Sequence, residues 1–159
     1  MLKGNNIILR PLKNTDLDFL HHIENNADNW QFGGDRRIFS KSELIDYILN
    51  SKTDIELSKQ FRFVIVLNNL PVGFIDLFNY RKSRVGLGII ITDNQRRKGY
   101  ASEAINIISD YIFNTLKVAK IYANIHKDNL ASIKLFTSCN FQIKNKNNEI
   151  IFLVKFPNI

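Results

Sequence analysis

The sequence predicts an α/β (α+β) fold built as one domain over residues 1–159: a mixed, mostly antiparallel sheet of about six or seven strands flanked by about four helices. Three observations lead there. Apolar residues recur at helical spacing in four separate segments. From Phe61 the period shortens to the alternation of strands, in runs of β-branched and aromatic residues. No linker rich in Pro or Gly divides the chain.

The elements follow in order. Ile7, Ile8 and Leu9 form a short strand that Pro11 should end. Thr15, with Asp18 three residues on, reads as a capping pair for a helix reaching about Ala27, with Leu17, Leu20 and Ile23 on its inner face. WQFGGDRR is loop. Ser40 and Glu43 repeat the capping pattern before Leu44, Ile45, Ile48 and Leu49. The polar segment 51–60 should be a flexible connection. FRFVIVL, VGFIDLFNY and VGLGIIIT then form an antiparallel meander joined by NNLP and RKS. A helix over 99–116 buries Ala101, Ala104, Ile105, Ile108, Ile112 and Leu116. IYANI is a strand, 129–139 a short helix, and FQIK with EIIFLVKF a closing hairpin around NKNN.

The chain has 159 residues, 45% hydrophobic and 23% charged, enough to bury a core without a disulfide or metal staple. No apolar run is long enough to span a membrane, so no membrane partner is expected. MLKGNNIILRPL lacks the apolar stretch of a signal peptide, and Cys139 has no second cysteine to pair with. Together these point to the cytoplasm. The formal net charge is +7, with its densest knot at residues 96–98. The other basic residues are spread along the chain as on a solvated surface, which argues against nucleic acid as a partner. A homodimer is left open.

QRRKGYA, residues 95–101, joins a β-branched strand to an amphipathic helix. A helix start offers backbone N–H groups without intrahelical partners at the positive end of the dipole, where a phosphate binds readily. Gly99 opens left-handed backbone conformations, and Arg96, Arg97 and Lys98 add positive charge. A phosphate or pyrophosphate at this joint is therefore expected.

The same stretch resembles the acyl-CoA signature of the GNAT family of N-acetyltransferases: Arg or Gln, two residues, Gly, one residue, then Gly or Ala. Arg96, Gly99 and Ala101 fill those positions. Downstream, NLASIKLFTSCNF resembles the family's second motif of Asn, a small residue, an aromatic and Gly-Phe. The resemblance spans about residues 7–156, and LRPLKNTDLDFL is similar to the branch holding spermidine and ribosomal-protein N-terminal acetyltransferases. It implies a GNAT fold with splayed central strands, acetyl-CoA as cosubstrate, and direct acetyl transfer to a primary amine. That amine would be a polyamine, another small amine or a protein N-terminus. Carried over, Ile89, Ile90 and Ile91 would hold the pantetheine, and Arg96, Arg97, Lys98, Gly99, Tyr100 and Ala101 the pyrophosphate. Asn129 and Phe136 would flank the arm, Asn129 serving equally as a helix cap.

The sequence departs from the family pattern where chemistry is needed. Phe136 stands where many members carry a Tyr, and it cannot donate a proton. Gly86 lies near a usual Glu, and Asn140 replaces a Gly. Neither the usual acid nor the usual base is plainly present. Asp76, set among apolar residues in FIDLF, is the candidate base or amine anchor, and Tyr80 is expected on the same face. Ser132 is a candidate proton donor. His126 is a weaker base candidate at a strand end. Glu24, Trp30 and Phe32 are candidates for the acceptor pocket, with Asp28 and Asp35 nearby. The alternative reading is an acetyl-CoA-binding module with little or no turnover.

Overall fold

A computed structural model describes residues 1–32 and 37–158, without the side chains of Trp30, Gln31 and Phe32. The acceptor-pocket assignments for Trp30, Phe32 and Asp35 therefore lie outside the described residues. The element order is β1 (Leu2–Lys3), β2 (Ile7–Pro11), α1 (Leu17–Asn25), α2 (Lys41–Asn50), α3 (Ile55–Ser58), β3 (Phe61–Leu67), β4 (Leu70–Phe78), β5 (Val85–Ile91), α4 (Tyr100–Asn114), β6 (Ile121–His126), α5 (Leu130–Ser138), β7 (Gln142–Lys146) and β8 (Ile150–Lys155). Among the described residues the strands form one eight-stranded sheet in the order β1-β2-β3-β4-β5-β6-β8-β7, whose only parallel pair is β5 with β6. Long β-branched runs make the meander, and Asn68 and Asn69, at φ 50 and 66, form its first turn.

Strand alternation sends side chains to two cores. On one face, Leu9, Ile65, Ile75, Leu77, Val85 and Leu87 pack beneath α4 and α5 through Ala104, Ile105, Ile108, Ile112 and Phe136. On the other, Val64, Val66 and Phe74 pack beneath α1 and α2 through Leu20, Ile23, Leu44 and Ile48. Periodicity in the sequence identifies most of these helix faces, but Leu17, Ala101 and Leu116 are only half-buried, and Ile45 and Leu49 on α2 are exposed.

Pro11 ends β2 as its last residue. Three local expectations are corrected. The connection at 51–60 holds the short helix α3, because Asp54 caps it by accepting from Glu56 N–H at 2.9 Å. Thr15 is not the cap of α1. Asp16 is buried instead and closes the entry turn, accepting from Lys13 N–H at 2.8 Å and from both terminal nitrogens of Arg10 at 2.8 and 2.9 Å. Tyr80, expected beside Asp76, lies on the opposite face of the sheet, in the core beneath α4. Asn79 between them has φ 50, and that left-handed residue breaks the alternation. The Ser40–Glu43 capping box forms in both directions.

Burial pushes the Asp16 carboxyl up, but the Arg10 hydrogen bonds and the Lys13 N–H outweigh it, and the net shift is down. A depressed folded-state pKa adds stability above the unfolded value of about 3.9, and the gain is lost as pH falls through the folded value. Asp16→Asn should therefore be less stable than the parent near neutrality, and the gap should narrow as pH drops below about 4. Urea melts across that range check it; a gap that stays constant with pH would count against the ion pair.

Candidate active site

The cleft begins where a ladder stops. β5 and β6 pair only at Val85 with Ile121 and Gly86 with Tyr122, and beyond Gly86 they part. This leaves the β6-facing edge of Leu87–Ile91 without a strand partner, while β4 still pairs along the other edge through Ile91. The opening is a cleft of about 870 Å³ walled by Ile89–Ile91, the start of α4 and the start of α5. An unpaired strand edge can take an extended amide-bearing chain as a further strand.

At one end stands the N-terminus of α4. Gly99 is its N-cap with φ 86, and no side chain caps the first turn. A Cβ on Gly99 would meet nothing within 4 Å, so the glycine is required by backbone conformation, not by space. Arg97 also has φ 62, a conformation that costs a non-glycine residue about 1–2 kcal/mol. Two left-handed residues turn the chain so that the free N–H groups of α4 face the cleft, the arrangement that binds a phosphate group.

The basic residues divide. Arg97 is exposed on the cleft wall. Arg96 also lines the cleft, but its guanidinium braces the loop: Nε donates to Ile91 O at 2.8 Å, Nη2 to Asn29 Oδ1 at 3.3 Å, and Nη1 pairs with Asp93. Lys98 and Tyr100 are not among the lining residues, and Lys98 Nζ donates to Gln95 Oε1. Asn129 and Ser132 line the opposite wall. Asn129 caps α5, its Oδ1 accepting from Ser132 N–H at 3.2 Å, so the capping reading of this asparagine holds.

Phe136 is a correction. It was expected to face the pantetheine arm, yet it is 3% exposed, stacked edge-on against Phe141 at 5.0 Å, and not among the residues that line the cleft. Phe136 lies one turn beyond Ser132 on the same side of α5, and at that level the helix packs on the core, where an apolar ring belongs. Asn140 takes φ 72 to return Phe141 beneath it, so the missing glycine is tolerated. Cys139 is a buried core residue. Tyr80 is also buried, its hydroxyl donating to Glu56 Oε1 at 2.9 Å, and the structure does not bring it to Asp76 or to the cleft. His126 Nδ1 accepts from Asp128 N–H at the strand end.

Asp76 and Glu24 do meet, through a residue the sequence did not single out. Arg62 on β3 donates through Nε and Nη2 to the two oxygens of Asp76 at 2.7 and 2.8 Å, and through Nη1 to Glu24. Its guanidinium lies over the rings of Phe74 at 4.7 Å and Tyr47 at 5.6 Å. One side chain thus ties β3, β4, α1 and α2 together. Burial alone would lower the Arg62 pKa, but Asp76, Tyr47 and Glu24 outweigh it and hold the guanidinium charged. Burial likewise pushes the Tyr47 phenol up. Asp76 is 32% exposed and opens onto a pocket of about 200 Å³ with Tyr47, Gln60 and Phe78 in its wall. The signal for Arg62 was hidden by register. A bulge between Ile65 and Val66 shifts β3 against β4 by one residue and puts Arg62, not a neighbour, opposite Asp76.

The family profile described as acetyltransferase (GNAT) domain matches residues 6–142. Spermidine N(1)-acetyltransferase of Escherichia coli (strain K12) is 28% identical over 148 residues, covering 92% of this chain and 78% of that protein. Acetyltransferase PseH of Campylobacter jejuni is 27% identical over 124 residues, covering 76% and 77%. Among solved structures, spermidine N-acetyltransferase from Vibrio cholerae in complex with CoA and spermine superposes with a TM-score of 0.85 at 22% identity, over 96% of each chain. Among the described residues no helix is long and apolar enough to cross a membrane. Catalysis is N-acetyl transfer with acetyl-CoA as donor. This chain belongs to the GNAT family of acetyltransferases.

Proposed function

We propose that residues 1–159 act as a single acetyltransferase domain that acetylates an aliphatic primary amine of the polyamine class. The observation that carries the reading is the junction of the β5/β6 splay with a carboxylate-bearing wall: Asp76 pairs directly across β4 and β5 with Gly88, just past the end of the β5/β6 ladder. The pyrophosphate is held by the N–H groups at the start of α4 with Arg97 beside them, and Ile89–Ile91 take the pantetheine along the open strand edge. The thioester supplies the activated acetyl group. The amine nitrogen bonds to its carbonyl carbon, the carbon–sulfur bond breaks, the nitrogen gives up a proton and the departing sulfur gains one.

An alkylamine of pKa about 10.4 is almost wholly protonated at neutral pH, so the site must receive a cation and release a proton from it. The Glu24–Arg62–Asp76 cluster carries two negative charges against one positive, and Asp76 presents the more exposed carboxylate. Asp76 anchors the ammonium, and Ser132, on the far wall of the cleft, is the candidate to serve the leaving sulfur. A thiol ionises at about pH 8.5, so departure needs little assistance.

Steady-state kinetics of Asp76→Asn with spermidine as acceptor test the assignment. Turnover of the amine should fall by about tenfold or more, while acetyl-CoA affinity by calorimetry stays nearly unchanged. An equal loss of acetyl-CoA binding would move Asp76 to the donor side or to structure.

A further inference from the structure

The signature strand carries two glycines with different reasons to exist. At Gly86 a Cβ would lie 2.3 Å from the ring of Phe78, so packing demands glycine there. Gly88 has no such reason. A Cβ would meet only Phe78 Cε1, at an ordinary 3.9 Å. Gly88 is not among the residues of positive φ, so its backbone conformation is open to any residue. Glycine inside a strand weakens it, and such positions often admit a ligand or another backbone closely. Here the fold bears that weakening with no steric return from the fold itself.

The surroundings of Gly88 say what the space is for. Its neighbours by alternation, Leu87 and Ile89, belong to the core beneath α4, whereas Ile90 packs with the core beneath α1 and α2. Gly88 therefore shares the α1/α2 face with Asp76, its direct cross-strand partner. It is half-exposed and lies past the last β5/β6 pair, at the vertex of the splay. To one side stands Phe78, held edge-on against Tyr122 at 5.9 Å; to the other stands Ile90. A bare strip of backbone thus runs from the Asp76 carboxylate across β5 to the cleft, with a fixed aromatic wall.

We propose that Gly88 determines acceptor specificity: the gap over it is the lane by which the amine passes from Asp76 to the thioester, and its width selects an unbranched alkyl chain. This rests on the reading of Asp76 as the acceptor anchor. The lane excludes amines branched beside the nitrogen and aromatic amines, because a strip one residue wide between Phe78 and Ile90 holds a methylene chain and little more.

The test is steady-state thiol release by the full chain with spermidine, hexylamine, 2-aminohexane and benzylamine. The parent should favour the two unbranched amines. Gly88→Ala should raise KM for them moderately and Gly88→Val by at least about tenfold, the worth of one or two methyl groups in a tight site. Acetyl-CoA affinity measured by calorimetry should stay within about twofold in both. Gly88→Ala adds no clash, so it remains informative if the valine variant folds poorly. Parent-like kinetics in Gly88→Ala and Gly88→Val, equal use of branched amines by the parent, or a loss of acetyl-CoA binding matching the loss of turnover would each overturn the lane. If Asp76→Asn leaves acceptor kinetics untouched while Gly88→Val raises KM, the anchor fails and the lane stands.

Discussion

Gly99→Asp is expected to weaken acetyl-CoA binding at least tenfold, a change of about 1.4 kcal/mol or more. The substitution acts at the N-cap of α4, where no side chain covers the first-turn N–H groups. An aspartate is a preferred N-cap in water, and its carboxylate would occupy those donors itself and repel a phosphate. It must also adopt φ 86, which costs a non-glycine residue about 1–2 kcal/mol of folding stability. Gly99→Ala separates the two effects. Since a Cβ there meets nothing within 4 Å, alanine pays only the conformational cost and should keep most of the affinity. Calorimetric titration of the three proteins, with thermal melts alongside, reads binding and folding apart. Equal affinities in folded Gly99→Asp and parent would place the donor phosphate elsewhere.

Arg62→Leu is expected to be the most destabilising single change in the acceptor wall, by about 3 kcal/mol. Removing the guanidinium leaves the carboxylates of Asp76 and Glu24 facing one another without the five-donor group between them. It also removes the cation over Phe74 and Tyr47. The side chain is 16% exposed, so solvent replaces few of these interactions. The double variant Asp76→Asn with Arg62→Leu should be less destabilised than the sum of the single changes, because the two residues share one network. Chemical denaturation checks this; strict additivity would mean that the bidentate contact contributes little.

Much of the fold was legible because it rests on periodicity. The three meander strands, α4 and the closing hairpin follow from apolar spacing, with shifted ends: β4 begins at Leu70 and β7 runs through Asn145 and Lys146, both inside the expected turns. The exceptions have local causes. Asn79 at φ 50 reversed the face assigned to Tyr80, and side-chain alternation carries no mark of a left-handed residue. The bulge near Val66 set the register that joins Arg62 to Asp76, and a one-residue slip is invisible to pattern. At the site, the glycine and basic residues of QRRKGYA located the joint but not the division of labour within it. Arg96, an expected anion ligand, lines the cleft and also braces the loop through Ile91, Asn29 and Asp93. The family resemblance sets Phe136 beside the arm, and a motif position does not say where a wall becomes core.

The most direct measurement is product analysis by mass spectrometry with isotopically labelled acetyl-CoA and spermidine, quantified beside thiol release. One labelled acetyl group should appear on a primary nitrogen of spermidine for each thiol freed, and both signals should fall together in Gly99→Asp. Thiol release with label recovered only as free acetate, or labelled product formed undiminished by folded Gly99→Asp, would contradict amine acetylation at the β5/β6 cleft.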